Sequence, residues 1–140
     1  MKLCHVSCWV LLSMLTVGCG SSGPELSTVG GTVKLDGAPL PHAFVTFTPA
    51  SGRPSFGGTD ENGYYELVYT DDKKGAIPGE HTVKVSTLRR ADPESGTKAE
   101  PERIPAKYNS KSELKKTVEP GSNTIDIDVT SEGKVLQPAR

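Results

Sequence analysis

Apolar and polar residues alternate along most of the chain, in short runs that are separated by glycine, proline and aspartate. Alternation at every second residue is typical of β-strands that bury one face. Seven such runs lie between residues 28 and 130, and none of them has the spacing of an amphipathic helix. The pattern therefore predicts an all-β domain in which seven strands form a two-layered β-sandwich.

The alternation also assigns a buried face to each predicted strand. The side chains of that face are apolar, aromatic or small, with one histidine among them. The predicted inward-facing residues are Val29, Gly31, Val33, Leu35, Ala43, Val45, Phe47, Tyr65, Leu67, Tyr69, His81, Val83, Val85, Ile125, Ile127 and Val129.

Short polar segments predict the turns between these strands. Asp36 and Gly37 are a strong hairpin signal, and "DENG" at 60–63 predicts a tight turn, since asparagine and glycine tolerate positive φ. Residues 88–105 are charged, contain three prolines and have no period, which predicts an irregular loop. Runs 113–119 and 123–130 are joined by "PGSN" and are predicted to be a last pair of strands.

The start of the chain differs chemically from everything that follows. Lys2 is its only charged residue before Glu25, and residues 6–17 form an apolar run shorter than the ~20 residues of a membrane-spanning helix. Such a start is typical of a secretory signal peptide. The next residues, "LTVGC", resemble the lipobox of bacterial lipoproteins, in which the chain is cut before an acylated cysteine, although Thr16 stands where leucine is commonest. Ordinary signal cleavage and an uncleaved anchor remain alternatives.

This interpretation singles out Cys19. Cys4 and Cys8 lie within the predicted signal peptide, so the mature chain would keep Cys19 alone and form no intramolecular disulfide. We therefore expect lipidation of Cys19 by fatty acyl chains such as palmitate, which would anchor the protein to a membrane outside the cytoplasm. The resemblance to bacterial lipoproteins implies, by the retention rule known for some of them, that Gly20 in place of an aspartate after the cysteine favours the outer membrane.

The expected organisation has four parts. They are a lipoprotein signal peptide at 1–18, a flexible tether at 19–27, a β-sandwich domain at 28–130 and a C-terminal tail at 131–140. The formal net charge is −1, with acidic and basic residues interspersed. Because no basic field could hold a phosphate backbone, nucleic acid is not expected as a partner.

Few residues are candidates for chemistry. His42 and His81 are the histidines of the predicted mature chain, and we expect His42 at the surface and His81 half-buried on the inward face of a strand. A metal or acid–base site would require them to converge with a carboxylate. Their positions at the starts of different strands do not favour this.

Acidic residues offer a second set of candidates. Asp71 and Asp72 with Glu80, or Asp60 and Glu61 with Asn62, could supply oxygen ligands to calcium, but neither stretch has the spacing of a known calcium loop. Asp126 and Asp128 share the outward face of one strand, where lysines such as Lys115 and Lys116 could lie opposite them. Solvated turn and strand charges explain all of these groups. No catalytic residue, metal or cofactor is predicted.

Several motifs in the same order resemble a known family. "GGTVKLDGAPLPHAFVTFTP", "GGTDENGYYEL" and "GAIPGEHTVKV" look like the carboxypeptidase regulatory-like domain, a transthyretin-like β-sandwich. His81 stands where that family usually has an aromatic residue. The later "PAKYNSKSELKKTVEPGSNTIDIDV" resembles the ending of small bacterial lipoproteins that carry this domain. The resemblance implies a transthyretin-like or immunoglobulin-like sandwich, an architecture that hosts unrelated functions.

The sequence thus favours a lipid-anchored cell-envelope protein with a noncatalytic β-sandwich for binding or assembly. The expected partners are the membrane, through Cys19, and an envelope protein, a polysaccharide or a second copy of this chain through a sheet edge; the residues that bind them are unknown. One alternative is a small-ligand carrier of transthyretin-like architecture, which would need an apolar cavity. A transthyretin-like hydrolase would need His42 or His81 to meet an acidic or basic partner in a cleft.

Overall fold

The computed structural model describes residues 23–137. The predicted signal peptide, Cys19 and residues 138–140 lie outside the described residues. Between 23 and 137 the chain forms eleven strands in two sheets and one 3-10 helix, at Ala106–Tyr108. The strands are β1 (Thr28–Leu35), β2 (Ala38–Pro39), β3 (Phe44–Pro49), β4 (Ser55–Gly58), β5 (Tyr64–Glu66), β6 (Val68–Thr70), β7 (Lys73–Lys74), β8 (Gly79–Ser86), β9 (Lys115–Val118), β10 (Ser122–Thr124) and β11 (Ile127–Val129).

The five-stranded sheet is built around β1. On one side β1 pairs in parallel with β10 and β11, and on the other side it pairs antiparallel with β2 and β5. Leu35 lies opposite Ala38, so that Asp36 and Gly37 form a two-residue turn. Both residues have positive φ, 51° and 83°. This confirms the hairpin that the Asp-Gly pair predicts, because such turns match the twist of the strands they join.

The six-stranded sheet has the order β7-β6-β4-β3-β8-β9, and every pair in it is antiparallel. Its longest pairing, between β3 and β8, runs from Phe44 opposite Ser86 to Pro49 opposite His81. Val45, Phe47, Val83 and Val85 point inward and are buried. This inward face is the one that the alternating sequence predicts.

The chain passes directly from one sheet to the other at Leu67. Glu66 is the last residue of β5, in the five-stranded sheet, and Val68 is the first of β6, in the six-stranded sheet. Between them, the amide of Leu67 donates to the carbonyl of Val29 at 2.9 Å, and its carbonyl accepts from the amide of Gly75 at 2.7 Å. The backbone groups of Leu67 are therefore satisfied while the chain crosses from one layer to the other.

Inward side chains of both sheets form one core. Tyr65 extends across it, and its hydroxyl donates to the carbonyl of Ile125 at 2.6 Å, so the only polar atom of this buried side chain has a partner. Burial raises the pKa of Tyr65 well above its ordinary value. The buried apolar residues are Val29, Val33, Leu40, Ala43, Val45, Phe47, Tyr65, Leu67, Ala76, Val83, Val85, Ile104, Val118, Ile127 and Val129.

The all-β, two-layered architecture confirms the predicted class of fold. Each of the seven predicted runs contains a strand, and the count rises to eleven for two reasons. Two runs are interrupted, at Leu67 and between β10 and β11, and the two-residue strands β2 and β7 are added.

The expected pairing within 113–130 is wrong: β9 pairs with β8, whereas β10 pairs with β1 in the other sheet. The carbonyl of Gly121 accepts from the amide of Thr28, which directs the chain to β1.

Gly31 provides a test of how closely the strands of the five-stranded sheet approach each other. A methyl group at Gly31 would overlap the carbonyl of Ile125, whereas one at Gly58 would meet no atom within 4 Å. We expect Gly31→Ala to lower the free energy of unfolding by about 1–3 kcal/mol, the usual cost of overpacking. Gly58→Ala should stay within about 0.5 kcal/mol of the parent. Urea unfolding curves would measure both, and equal midpoints would contradict the close approach.

Candidate binding groove

An open groove lies at the end of the sandwich where β3 begins and β4 ends. Its volume is about 480 Å³. One wall comes from these two strands, and the other comes from the segment that follows β8. The lining residues are His42, Ala43, Phe44, Gly58, Thr59, Arg89, Asp92 and Thr97.

The strand wall is fixed by hydrogen bonds around Thr59. The Thr59 hydroxyl accepts from the amide of Ala43 at 2.8 Å and donates to the carbonyl of Leu40 at 2.7 Å. His42 adopts the left-handed conformation, with φ 56°, and its Nε2 lies 2.8 Å from Oε1 of Glu61. A left-handed histidine is uncommon and has to be held by its surroundings. Its carbonyl accepts a hydrogen bond from Nη2 of Arg89 at 3.3 Å.

Phe44 gives the groove an apolar surface. It lies opposite Gly58 in the register of β3 and β4, so no side chain covers its ring from that neighbouring strand. Phe44 is 52% exposed. A large aromatic ring that is half exposed beside charged and hydroxyl groups is typical of a surface that binds a partner.

The second wall consists of residues 88–100. Arg89 and Glu100 exchange backbone hydrogen bonds of 2.9 Å, and their side chains approach to 3.7 Å between Nη1 and Oε1. Farther out, Asp92 pairs with Thr97, and its carboxylate accepts from the amide of Glu94 and the hydroxyl of Ser95. These local bonds give the irregular loop a defined shape. Arg89 and Asp92 therefore line the same groove as Phe44.

A buried carboxylate attaches this loop to the sandwich. Glu102 is 5% exposed and accepts hydrogen bonds from the backbone amides of Thr87 and Ile104, at 3.0 and 2.9 Å. It also accepts from the side chains of Ser86 and Asn109. Burial acts to raise the pKa of Glu102, but these donors outweigh burial and hold the pKa below its ordinary value. The ionised form is therefore the one that the fold stabilises.

The C-terminal tail joins the same network. The amide group of Gln137 makes two hydrogen bonds with the backbone of Glu102, and the carbonyl of Lys134 accepts from the amide of Ala106. Residues 131–137 thus lie against the domain. Nothing in the sequence distinguished Glu102 from the charged residues around it, because its role depends on donors from three separate segments of the chain, at residues 86–87, 103–104 and 109.

The two histidines do not come together. His42 is at the surface, as expected, but His81 is fully buried rather than half-buried, with 1% exposure. His81 packs against Phe47, and its Nε2 lies 2.7 Å from the carbonyl of Ile77. Because His81 lies opposite Pro49, the two histidines are at opposite ends of β3, a strand that spans roughly 17 Å.

The acidic candidates serve local structure. The Asp60 carboxylate accepts from the amides of Asn62 and Tyr64, which closes the turn after β4. Asp72 accepts from the hydroxyl of Thr70, which lowers the pKa of this carboxyl. Between residues 23 and 137, no three histidine, cysteine, aspartate or glutamate side chains gather as a metal site would require.

Asp126 and Asp128 are exposed, but the expected lysine partners are wrong. Asp128 lies in β11 of one sheet, whereas Lys115 and Lys116 lie in β9 of the other. The carboxylate of Asp126 accepts from the amide of Thr32 instead, and Nζ of Lys115 donates to the hydroxyl of Thr82. The reason is the crossing at Gly121, which separates two runs that are adjacent in sequence.

Comparisons with known proteins add no family or function. No protein-family model, curated protein or solved structure matches the chain. Within residues 23–137, no helix is long and apolar enough to cross a membrane. The predicted lipidation site, Cys19, precedes the described residues.

The Glu102 network leads to a prediction about pH. Glu102→Gln replaces an acceptor oxygen by a donor, and we expect it to cost about 1–3 kcal/mol of stability at pH 7. Because the folded-state pKa of Glu102 is lowered, its ionised carboxylate stabilises the fold at pH values above the unfolded-state pKa of about 4.3. This contribution is lost as the pH falls through the folded-state pKa. The difference in the free energy of unfolding between Glu102→Gln and the parent protein should therefore become smaller at acidic pH. Urea titrations at several pH values would measure it.

Glu94→Gln is the matched control, since Glu94 is an exposed carboxylate in the same segment. It should leave stability nearly unchanged at each pH. A Glu102→Gln difference that stays constant from pH 7 to strongly acidic conditions would contradict the proposed role of the ionised carboxylate.

Proposed function

We propose that the protein is a lipid-anchored component of the cell envelope, with a noncatalytic β-sandwich that serves as a binding or assembly module. The anchor is Cys19, and the membrane is one outside the cytoplasm, with the outer membrane favoured. The motifs that resemble the carboxypeptidase regulatory-like domain and small bacterial lipoproteins support the same proposal. Its partner at the groove is an envelope protein or a polysaccharide.

The placement of the groove is the observation that carries this proposal. β1 begins beside Gly121 and ends beside the turn at Gly63: the amide of Val33 donates to the carbonyl of Gly63, and the carbonyl of Val33 accepts from the amide of Leu40. Leu40 in turn bonds to Thr59 of the groove. The groove therefore lies at the end of the sandwich opposite to the point where the chain enters. Over the eight residues of β1 the two ends are about 23 Å apart.

This geometry suits a protein that is held at a surface by its first residue. An anchor on the tether side leaves the opposite end directed away from the membrane. There, Phe44 offers an apolar ring, and Arg89 and Asp92 offer charged groups of both signs. A mixture of one aromatic residue and several polar groups fits a polar partner surface.

The alternatives receive less support from the geometry. A small-ligand carrier would enclose its ligand, whereas this groove is open to solvent and has charged walls. A hydrolase that used both histidines would need them in one cleft, yet they lie at opposite ends of β3. His42 with Glu61 is an exposed pair on the rim of the groove, with 44% and 79% of the two side chains exposed.

The anchor can be tested by replacing the cysteine. We expect Cys19→Ala to fold normally and to leave the membrane fraction, because the thiol that would carry the acyl chains is missing. Cys8→Ala is the matched control, since Cys8 lies in the segment predicted to be removed, and it should stay in the membrane fraction. Fractionation and mass spectrometry of the mature first residue would measure both effects. Equal membrane partitioning of the two variants would contradict the anchor.

The binding groove can be tested by site-specific cross-linking in intact envelopes. A photoreactive amino acid at Phe44 should form an adduct several-fold more efficiently than one at Tyr64, which is equally exposed, at 49%, on the other sheet. Sensitivity of the adduct to protease or to polysaccharide-degrading enzymes would identify the class of partner. The same low yield at both positions would contradict binding at the groove.

A further inference from the structure

The path of the chain into the domain determines which part of the sandwich lies near an anchored Cys19. Gly23 is the first described residue, and a Cβ atom placed on it would lie 3.2 Å from Nζ of Lys73, in β7. Ser27 exchanges two backbone hydrogen bonds of 2.9 Å with Ala76, just after β7. The chain therefore enters along the β7 edge of the six-stranded sheet.

The length of chain between Gly23 and Cys19 limits the distance to the membrane. Four residues in fully extended conformation span at most about 14 Å. If Cys19 is acylated, as the proposed function holds, the β7 edge lies within about that distance of the lipid headgroups. This step rests on the proposed function; the following steps rest on the exposed surface itself.

Two large apolar side chains are exposed beside this edge. Val68, in β6, lies opposite Lys74 of β7, and Phe56, in β4, lies opposite Val68. Val68 is 37% exposed and Phe56 is 50% exposed. At about 4.8 Å between neighbouring strands, Phe56 is roughly 10 Å from β7. We call the outer surface formed by Phe56, Val68, Lys73 and Lys74 the β7-side face.

The charges around the β7-side face are mixed. Lys74 forms an ion pair with Glu66, at 2.7 Å, and Asp71 and Asp72 form the turn between β6 and β7. At the same end, the guanidinium of Arg53 lies over the ring of Tyr69, 6.0 Å from its centroid. Arginine, lysine and tyrosine combine an apolar stem or ring with a polar tip, which suits the boundary between lipid and water.

We propose that the β7-side face rests on the bilayer to which Cys19 is anchored. Phe56 and Val68 contact the boundary between headgroups and acyl chains, and Lys73 lies near lipid phosphates. Two apolar side chains form a weak contact by themselves. Because the tether keeps the face near the bilayer, its effective concentration is high, and a contact too weak to bind a free domain becomes populated.

This orientation has a consequence for the groove. The ring of Phe44 projects from the same outer face of the six-stranded sheet as Phe56, since Phe44 lies opposite Gly58 and Phe56 lies opposite Thr46. Contact between this face and lipid restricts rotation of the domain about its tether. It therefore limits the directions from which a partner can reach the groove.

The orientation can be measured with a label whose depth in the bilayer is reported by quenching. An acylated Cys19 leaves no free thiol in the mature chain, so one new cysteine can be labelled selectively with a fluorophore. We would prepare the lipidated protein with Val68→Cys and reconstitute it in vesicles of phosphatidylethanolamine and phosphatidylglycerol that contain a nitroxide-bearing lipid. Thr124→Cys is the matched control, since Thr124 is exposed in β10, near the start of β1 but on the other sheet.

We expect lipid quenching of the label at residue 68 to be at least about threefold stronger than at residue 124. Adding Phe56→Ser to the Val68→Cys protein should reduce that quenching by about half, because the neighbouring ring no longer holds the face at the bilayer. Equal quenching at 68 and 124 would overturn the proposal. A label at 68 that is shielded from water but not quenched by lipid would also overturn it and would indicate a second copy or another protein on this face.

The same samples test the orientation of the domain and the acylation of Cys19 independently. Vesicle flotation and the mass of the first residue report acylation independently of quenching. Acylated, floating protein with equal quenching at the two positions would refute the orientation and leave the anchor intact. An unmodified Cys19 and loss of flotation would refute both.

Discussion

The arrangement of this domain depends on the crossing at Leu67, where one run of chain leaves the five-stranded sheet and enters the six-stranded sheet. The side chain of Leu67 is fully buried, and its backbone bonds to Val29 on one side and Gly75 on the other. An unpaired peptide at this point would be costly between two sheets. Because both groups are satisfied, β1, β6 and the β7 edge are held in fixed positions. The entry of the chain and the exposed face beside it follow from this junction.

At the groove end of the sandwich, residues 88–105 are ordered without forming a helix or a regular strand. The segment 88–105 has no hydrophobic period, and a loop of this length would ordinarily lose much entropy on ordering. Glu102 offsets that cost by gathering donors from β8, from its own segment and from the 3-10 helix region around one carboxylate. Bonds from amides to an ionised acceptor are stronger than bonds between neutral groups. Arg89 is thereby held against His42, and the groove has a second wall.

The sequence predicted what depends on alternation and on local turn chemistry. Val45, Phe47, Val83 and Val85 face the core because every second residue of a strand must, and Asp36 with Gly37 turns the chain because the pair accepts positive φ. It did not predict the crossing at Leu67, because inward residues alternate identically whichever sheet they face. It also did not predict the groove, which depends on the pairing of β3 with β8, or the role of Glu102, which depends on donors from distant segments.

The crossing at Leu67 and the Glu102 network place the two proposed functional surfaces, the β7-side face and the groove, in fixed positions on the domain. The tether, β7 and the start of β1 lie at one end of the sandwich, and the groove lies at the other. A flexible tether alone would let the domain rotate, so the groove would face the bilayer part of the time. A weak lipid contact beside the tether is sufficient to favour one of these orientations, because it needs only to be more favourable than the other orientations of the same anchored domain. The proposed lipid contact would account for the exposure of Phe56 and Val68, which is unfavourable for a domain free in water.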